Sequence, residues 1–136
     1  MYNLWRRPFE TILAALAAVV GASQAFSNFG YPPEMRDVVP TFGLRVYGLY
    51  VLVGSLVWLF ALFNDRPLLE RASLTALAGA FFLVVGTELY FVTLLDLPGI
   101  ALHLTETVVW QMGLGIASVS RATYISSVLR KASNGQ

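Results

Sequence analysis

The sequence predicts an all-α membrane protein with four transmembrane helices in an antiparallel bundle. Three observations lead to this fold class. First, 57% of the 136 residues are hydrophobic and only 12% are charged, whereas an average soluble domain carries about 25% charged residues. Second, the apolar residues form runs that approach or exceed the roughly 20 residues needed to cross a bilayer. Third, these runs show no alternation of apolar and polar positions, which favours helices over the strands of a membrane barrel.

Charged residues set the limits of the predicted spans, which form a single membrane domain. The four spans cover residues 11–26, 46–63, 72–94 and 100–120. Arg45 precedes the second span, Arg71 precedes the third, and Arg121 ends the fourth. The connections at 64–71 and 95–99 are short. They therefore predict that helices two and three, and helices three and four, are antiparallel neighbours.

The distribution of basic residues predicts the orientation. With both termini in the cytoplasm, seven Lys and Arg residues lie inside and two lie outside. The inside set is Arg6, Arg7, Arg66, Arg71, Arg121, Arg130 and Lys131, and the outside set is Arg36 and Arg45. Because basic loops remain on the cytoplasmic side, we expect a multi-pass protein of the cytoplasmic (inner) membrane.

The first span has a second interpretation as a signal peptide. It follows a basic start, contains an apolar stretch from Ile12 to Val20, and leads into Ser23-Gln24-Ala25, which has the small residues of a cleavage site. Removal of residues 1–25 would leave three spans in the same orientation. We favour retention of the segment as a span.

Composition excludes several function classes. The absence of cysteine removes disulfides, thiolate nucleophiles and cysteine-ligated metals. A net charge of +1 provides no basic face for nucleic acid. No nucleophile and base are spaced as an enzyme pair, and one histidine with two acids is too small a set to indicate a metal site. We therefore expect no enzymatic activity and no cofactor.

Small residues recur at helical spacing in three of the spans. They are Ala14, Ala18 and Ala22 beside Ala17, Gly21 and Ala25 in the first span, Ala72, Ala76, Gly79, Ala80 and Gly86 in the third, and Gly113 and Ala117 in the fourth. Such faces allow helices to approach closely in lipid. We expect mainly packing within the chain, and association between copies is the alternative.

Four polar residues form a candidate intramembrane cluster: Arg45, Glu88, His103 and Glu106. Glu88 lies about 25 Å along the third helix from Arg71, in the outer part of the bilayer core. His103 and Glu106 are three residues apart and share one helical face. A structural interpretation, in which Arg45 pairs with one of the acids, is favoured because an outer-level arginine is available. A proton or cation site is the alternative.

The charges on the inner side are predicted to be solvated helix-end residues. This set is Glu10, Asp65, Arg66, Glu70 and Arg71. The segment from Arg121 to Lys131 mixes three basic residues with Ile125, Val128 and Leu129. We expect it to form a short helical extension that touches anionic lipid.

Two short motifs carry a resemblance to a known group. Leu4-Trp5-Arg6-Arg7-Pro8-Phe9-Glu10 leads into an alanine-rich span, and Leu68-Leu69-Glu70-Arg71-Ala72-Ser73-Leu74 opens the third span. With these motifs and its four-span layout, the chain resembles small membrane proteins encoded by actinobacterial phages, some of which are holin candidates. The resemblance implies a membrane location and transfers no site residues. The weakly charged tail after Arg130 departs from the strongly charged tail common among holins.

Three functional hypotheses follow. The first is a holin-like or accessory phage membrane protein whose copies oligomerise in the inner membrane and perturb it. The second is a small proton- or cation-coupled carrier or channel that uses Glu88 and Glu106. The third is a structural or partner-binding membrane subunit with an unknown protein partner. In all three the lipid bilayer is the primary partner.

Overall fold

The computed structural model describes residues 7–27, 40–95 and 100–135, apart from the side chains at 88, 91, 92, 94, 95 and 100–108. This part of the chain is helical, as the sequence predicts. The four helices are α1 (Pro8–Phe26), α2 (Thr41–Phe63), α3 (Pro67–Leu95) and α4 (Ile100–Asn134). Their order along the chain matches the order of the predicted spans.

The helices extend beyond the predicted spans where a charged residue limited the span. Proline opens α1 and α3 at a position where its missing N–H group costs no helical hydrogen bond. Arg45 and Arg71 lie within helices, and α4 continues past Arg121 for thirteen residues to Asn134. A charge ends an apolar run, but it does not interrupt backbone hydrogen bonding. The predicted helical extension after Arg121 is therefore confirmed, while the limit of the fourth span at Ser120 stays a prediction.

The connection between α2 and α3 is a tight helix cap. Asp65 has a positive φ of 48°, which aspartate tolerates better than most residues. The Arg66 amide donates a hydrogen bond to the Ala61 carbonyl at 3.0 Å, as in a Schellman cap. Pro67 then begins the next helix. The cap therefore places the end of α2 beside the start of α3.

Close packing is concentrated in the pairs α1 with α2, α2 with α3, and α3 with α4. Aliphatic and aromatic side chains from the four helices form one buried core. Its largest members include Val51, Trp58, Leu62, Leu74, Leu77, Phe81 and Ile125. Ile125 belongs to the extension beyond Arg121, so this part of α4 packs on the other helices.

The contact between α1 and α2 depends on two glycines. A Cβ atom at Gly21 would lie 2.5 Å from the backbone nitrogen of Leu52. A Cβ atom at Gly48 would collide with the backbone of Gln24 and Ala25. Because neither position has room for a side chain, the two helix backbones touch directly. The small-residue face of the first helix is thus used within the chain, as we expect.

The exposed surface is much more apolar than that of a typical soluble protein, although the core is apolar as well. Large apolar residues face outwards on every helix, including Leu16, Phe60, Leu83 and Trp110. Buried residues include the polar Gln24, Ser55, Glu70, Ser73, Gln111 and Ser118. Within the described residues, Pro8–Phe26, Thr41–Phe63 and Pro67–Thr87 are long and apolar enough to cross a membrane. The chain therefore fits a small membrane protein.

Candidate functional site: a buried ion network

A carboxylate is buried where the ends of the helices meet. Glu70, in the first turn of α3, is only 2% exposed. Its Oε2 accepts a hydrogen bond from Arg7 Nη1 at 3.2 Å, and its Oε1 accepts one from Arg121 Nε at 3.0 Å. Both carboxylate oxygens are therefore paired with guanidinium groups from distant parts of the chain.

Arg121 connects this carboxylate to a second one. Its Nη1 lies 3.5 Å from Oε1 of Glu10, in the first turn of α1. Its guanidinium carbon lies 5.4 Å from the centre of the Tyr124 ring, within the range of a cation–π contact. We call Arg7, Glu10, Glu70 and Arg121 the Glu70 network. It links the start of α1, the start of α3 and the middle of α4.

The prediction that the inner charges are solvated is wrong for Glu70. Its carboxylate is enclosed because α1 and α4 bring arginines onto either side of it. Glu10 is partly buried and ion-paired, which also differs from the prediction. Asp65, Arg66 and Arg71 are exposed, as predicted. Glu70, the most buried charge among the described residues, is therefore not apparent from the sequence.

The chemistry of the Glu70 network is that of a structural clamp. Two carboxylates and two guanidinium groups balance in charge, and both oxygens of Glu70 already accept charge-assisted hydrogen bonds. Within the described residues, no three acidic or histidine side chains come together in a group that could hold a metal ion.

The predicted cluster of Arg45, Glu88, His103 and Glu106 lies mostly outside the described side chains. Arg45 is exposed on α2. The side chains of Glu88, His103 and Glu106 lie outside the described residues, although their backbones belong to α3 and α4. The ion pair and the proton or cation site at this cluster therefore both stay predictions.

A polar pair joins α2 to α4 farther along the helices. The Tyr47 hydroxyl donates a hydrogen bond of 3.0 Å to Oε1 of Gln111, whose side chain is buried. Interhelical hydrogen bonds of this kind contribute about 0.6 kcal/mol on average in a membrane, and at most about 1.7 kcal/mol. The pair therefore orients α4 more than it stabilises the fold.

A double-mutant cycle should detect this bond. We expect Tyr47→Phe and Gln111→Leu to show a coupling energy of about 0.6 to 1.7 kcal/mol in the free energy of unfolding. The measurement is reversible unfolding of the wild type, the two single variants and the double variant in mixed micelles. Strictly additive effects would show that the two side chains do not interact.

Comparisons with protein-family models, curated proteins and solved structures return no match to this chain.

Proposed function

We propose that this chain is a four-span protein of the cytoplasmic membrane, with both termini inside, whose copies associate and perturb the bilayer. In this proposal it acts as a holin-like or accessory phage membrane protein. The observation that carries the proposal is a set of unpacked glycines on exposed faces of α3 and α4, in a molecule that packs Gly21, Gly48, Gly54 and Gly115 against neighbouring helices.

The exposed glycines differ sharply from the buried ones. Among the described residues, and apart from the backbone of the same helix, no atom lies within 4 Å of a Cβ built at Gly79, Gly86 or Gly113, whereas a Cβ at Gly21 or Gly48 would touch the backbone of another helix. Gly79 and Gly86 are seven residues apart and thus share one face of α3. Small residues on a lipid-facing helix allow a second helix to approach closely. This face supports association between copies, while the face of α1 is occupied within the chain.

The contacts between helices support an antiparallel arrangement. Gly21 contacts Leu52, and Gly48 contacts Ala25. Residue numbers therefore increase along α1 while those of the contacting residues decrease along α2, as in an antiparallel pair. Similarly, Gly115 meets Phe82, while Arg121 meets Glu70 farther back along α3. A fourth span through α4 completes this arrangement in the proposal.

The position of the basic residues supports the proposed orientation. Arg7 and Arg121 meet at Glu70, and the neighbouring α2–α3 turn carries Arg66. Arg71 follows directly in α3. Because arginines concentrate at this end of the helices, the positive-inside rule favours placing it in the cytoplasm.

Membrane potential during inducible expression tests the proposal. We expect the wild type to cause abrupt depolarisation and growth arrest, as seen with a potential-sensitive dye. The double variant Gly79→Leu, Gly86→Leu should delay this effect and reduce cross-linked dimers, because leucine blocks the close approach of α3 to a second copy. Ala15→Leu, on an exposed face of α1, is the matched control and should behave as the wild type.

Normal growth and potential at full membrane expression would contradict membrane perturbation. If a specific protein also co-purified, the chain would instead be a partner-binding subunit. Depolarisation that is equally fast in the glycine variant would contradict association through α3.

A further inference from the structure

Two cavities meet at Arg121, one on each side of the Glu70 network. The first, which we call the tail cavity, has a volume of about 340 Å³ and reaches towards the middle of the helices. Its walls are mainly apolar and come from all four helices, with Leu13, Ala17, Trp58, Phe81, Leu114 and Ala117 among them. Glu10 and Arg121 lie in its walls as the charged residues. This volume lies within the usual range for a small-molecule site.

The second cavity, which we call the head pocket, has a volume of about 310 Å³ and lies beside the α2–α3 turn. Arg7, Asp65, Glu70 and Arg121 contribute its charged walls, and later turns of α4 cover it with apolar side chains. Since Arg121 lines both cavities, the two adjoin at this residue. Together they offer an apolar part, the tail cavity, and a charged part, the head pocket, beside the α2–α3 turn.

The tail cavity lies between α1 and α4. Close helix packing is found for α1 with α2, α2 with α3, and α3 with α4, so α1 and α4 are not among the closely packed pairs. Large apolar residues are exposed on both of these helices, such as Ile12 and Ile116. In a bilayer, the molecules beside this cavity are lipids. A lipid chain can therefore enter from the side, without crossing water.

The unpaired indole N–H group of Trp58 favours a ligand that brings a hydrogen-bond acceptor to the tail cavity. This residue forms part of the cavity wall, is 5% exposed, and has no hydrogen-bond partner for its Nε1 among the described residues. The indole N–H group can only donate, and a buried donor without an acceptor is unfavourable. A lipid ester carbonyl brought beside the indole would supply the acceptor.

The charges around the head pocket select the type of lipid head group. Glu10, Asp65 and Glu70 face two arginines, so the walls of the two cavities carry one net negative charge. Asp65 is exposed and forms no ion pair with the described residues. Arg7 keeps a 39% exposed side chain and has donors beyond the one that binds Glu70. The pocket thus offers a carboxylate for an ammonium group and a guanidinium group for a phosphate.

We propose that this site binds a phospholipid with a primary-amine head group, such as phosphatidylethanolamine. One acyl chain occupies the tail cavity. The phosphate lies near Arg7 and Arg121, and the ammonium group lies near Asp65. An anionic lipid without an amine would lack the partner for Asp65, so it binds more weakly.

Tryptophan quenching by brominated lipids tests this proposal in the full chain. A variant with Trp5→Phe and Trp110→Phe retains Trp58 as its fluorophore. It is reconstituted in phosphatidylcholine vesicles that contain brominated phosphatidylethanolamine or brominated phosphatidylglycerol at equal mole fractions. We expect stronger quenching of Trp58 by the ethanolamine lipid. A protein that retains only Trp110, which is 71% exposed, should be quenched equally by both lipids.

Two substitutions separate the tail cavity from the head pocket. Ala117→Phe fills the tail cavity and should remove the excess quenching, whereas Val119→Phe, on an exposed face of α4, should leave it unchanged. Asp65→Asn keeps a residue that tolerates the positive φ, and it should remove the preference for the amine lipid. Equal quenching of Trp58 by both lipids in the parent protein would overturn the proposal, as would an excess that survives Ala117→Phe.

Discussion

Replacing Glu70 by glutamine is expected to lower the free energy of unfolding by about 1.5 to 3 kcal/mol, the usual contribution of hydrogen bonds to a charged group. The substitution preserves the shape of the side chain but removes its charge. Arg121 would then keep its longer contact to Glu10 and its contact with the Tyr124 ring, and Arg7 would lose the carboxylate that it binds. Reversible unfolding in mixed micelles measures the loss.

Asp65→Asn is the matched control for Glu70→Gln. It makes the same chemical change to an exposed acid five residues earlier in the chain. Surface charge changes typically alter stability by less than about 1 kcal/mol, so this variant should unfold much as the wild type does. Equal effects of the two substitutions would show that Glu70 is solvated, as the sequence alone suggests.

Replacing all four members of the Glu70 network separates its effect on stability from its effect on helix positions. We expect Arg7→Met, Glu10→Gln, Glu70→Leu and Arg121→Met together to recover most of the stability lost in Glu70→Gln, because apolar residues of similar volume often replace buried ion pairs without loss. The cross-linking pattern between helix ends should become less uniform, because the charges no longer fix the relative positions of α1, α3 and α4.

Adding one methyl group at Gly48 should be nearly as damaging. In Gly48→Ala the new Cβ would meet the backbone of Gln24 and Ala25, which cannot rotate away as the end of a side chain can. The helices must separate, and overpacking of this kind costs about 1 to 3 kcal/mol or more. We expect a value at the upper end of this range, measured as a loss in the free energy of unfolding and a lower melting temperature.

Gly113→Ala provides the comparison for this substitution. It adds the same methyl group within a helix, but the new Cβ would meet no atom of another helix within 4 Å in the part of the chain that the structure describes. Its stability should equal or slightly exceed that of the wild type, because alanine favours a helix more than glycine does. Similar losses in the two variants would mean that α1 and α2 do not touch through Gly48.

The helices follow from the sequence because their determinants are local. Uninterrupted apolar runs have one favourable conformation in lipid, which is a helix that satisfies its own backbone hydrogen bonds. The exact ends depend on other signals. Pro8 and Pro67 mark two helix starts better than the neighbouring charges do.

The Glu70 network could not be predicted because its members are far apart in the sequence. Arg7 lies 63 positions and Arg121 lies 51 positions from Glu70, and nothing local distinguishes this acid from the exposed Asp65. One signal was present at Arg121. Apolar residues at 122, 125 and 129 continue the helical spacing beyond it, which indicates that the charge lies within a packed helix.

The small-residue faces were predictable as contacts, but their partners were not. Spacing alone cannot tell whether a glycine meets another helix of the same chain or a helix of a second copy. The structure distinguishes the two cases. A Cβ atom at Gly21 would collide with the backbone of α2, whereas a Cβ atom at Gly79 would meet no other described helix within 4 Å.

Because α4 is one unbroken helix, a change in its tilt moves its C-terminal end farther than the rest of the helix. From Arg121 to Asn134 the helix extends for roughly 20 Å at 1.5 Å per residue. A small tilt of the segment that faces α3 becomes a larger sideways displacement at Asn134, because no break lies between them. A spin label near residue 134 would therefore report, with amplification, on movements that begin inside the bilayer.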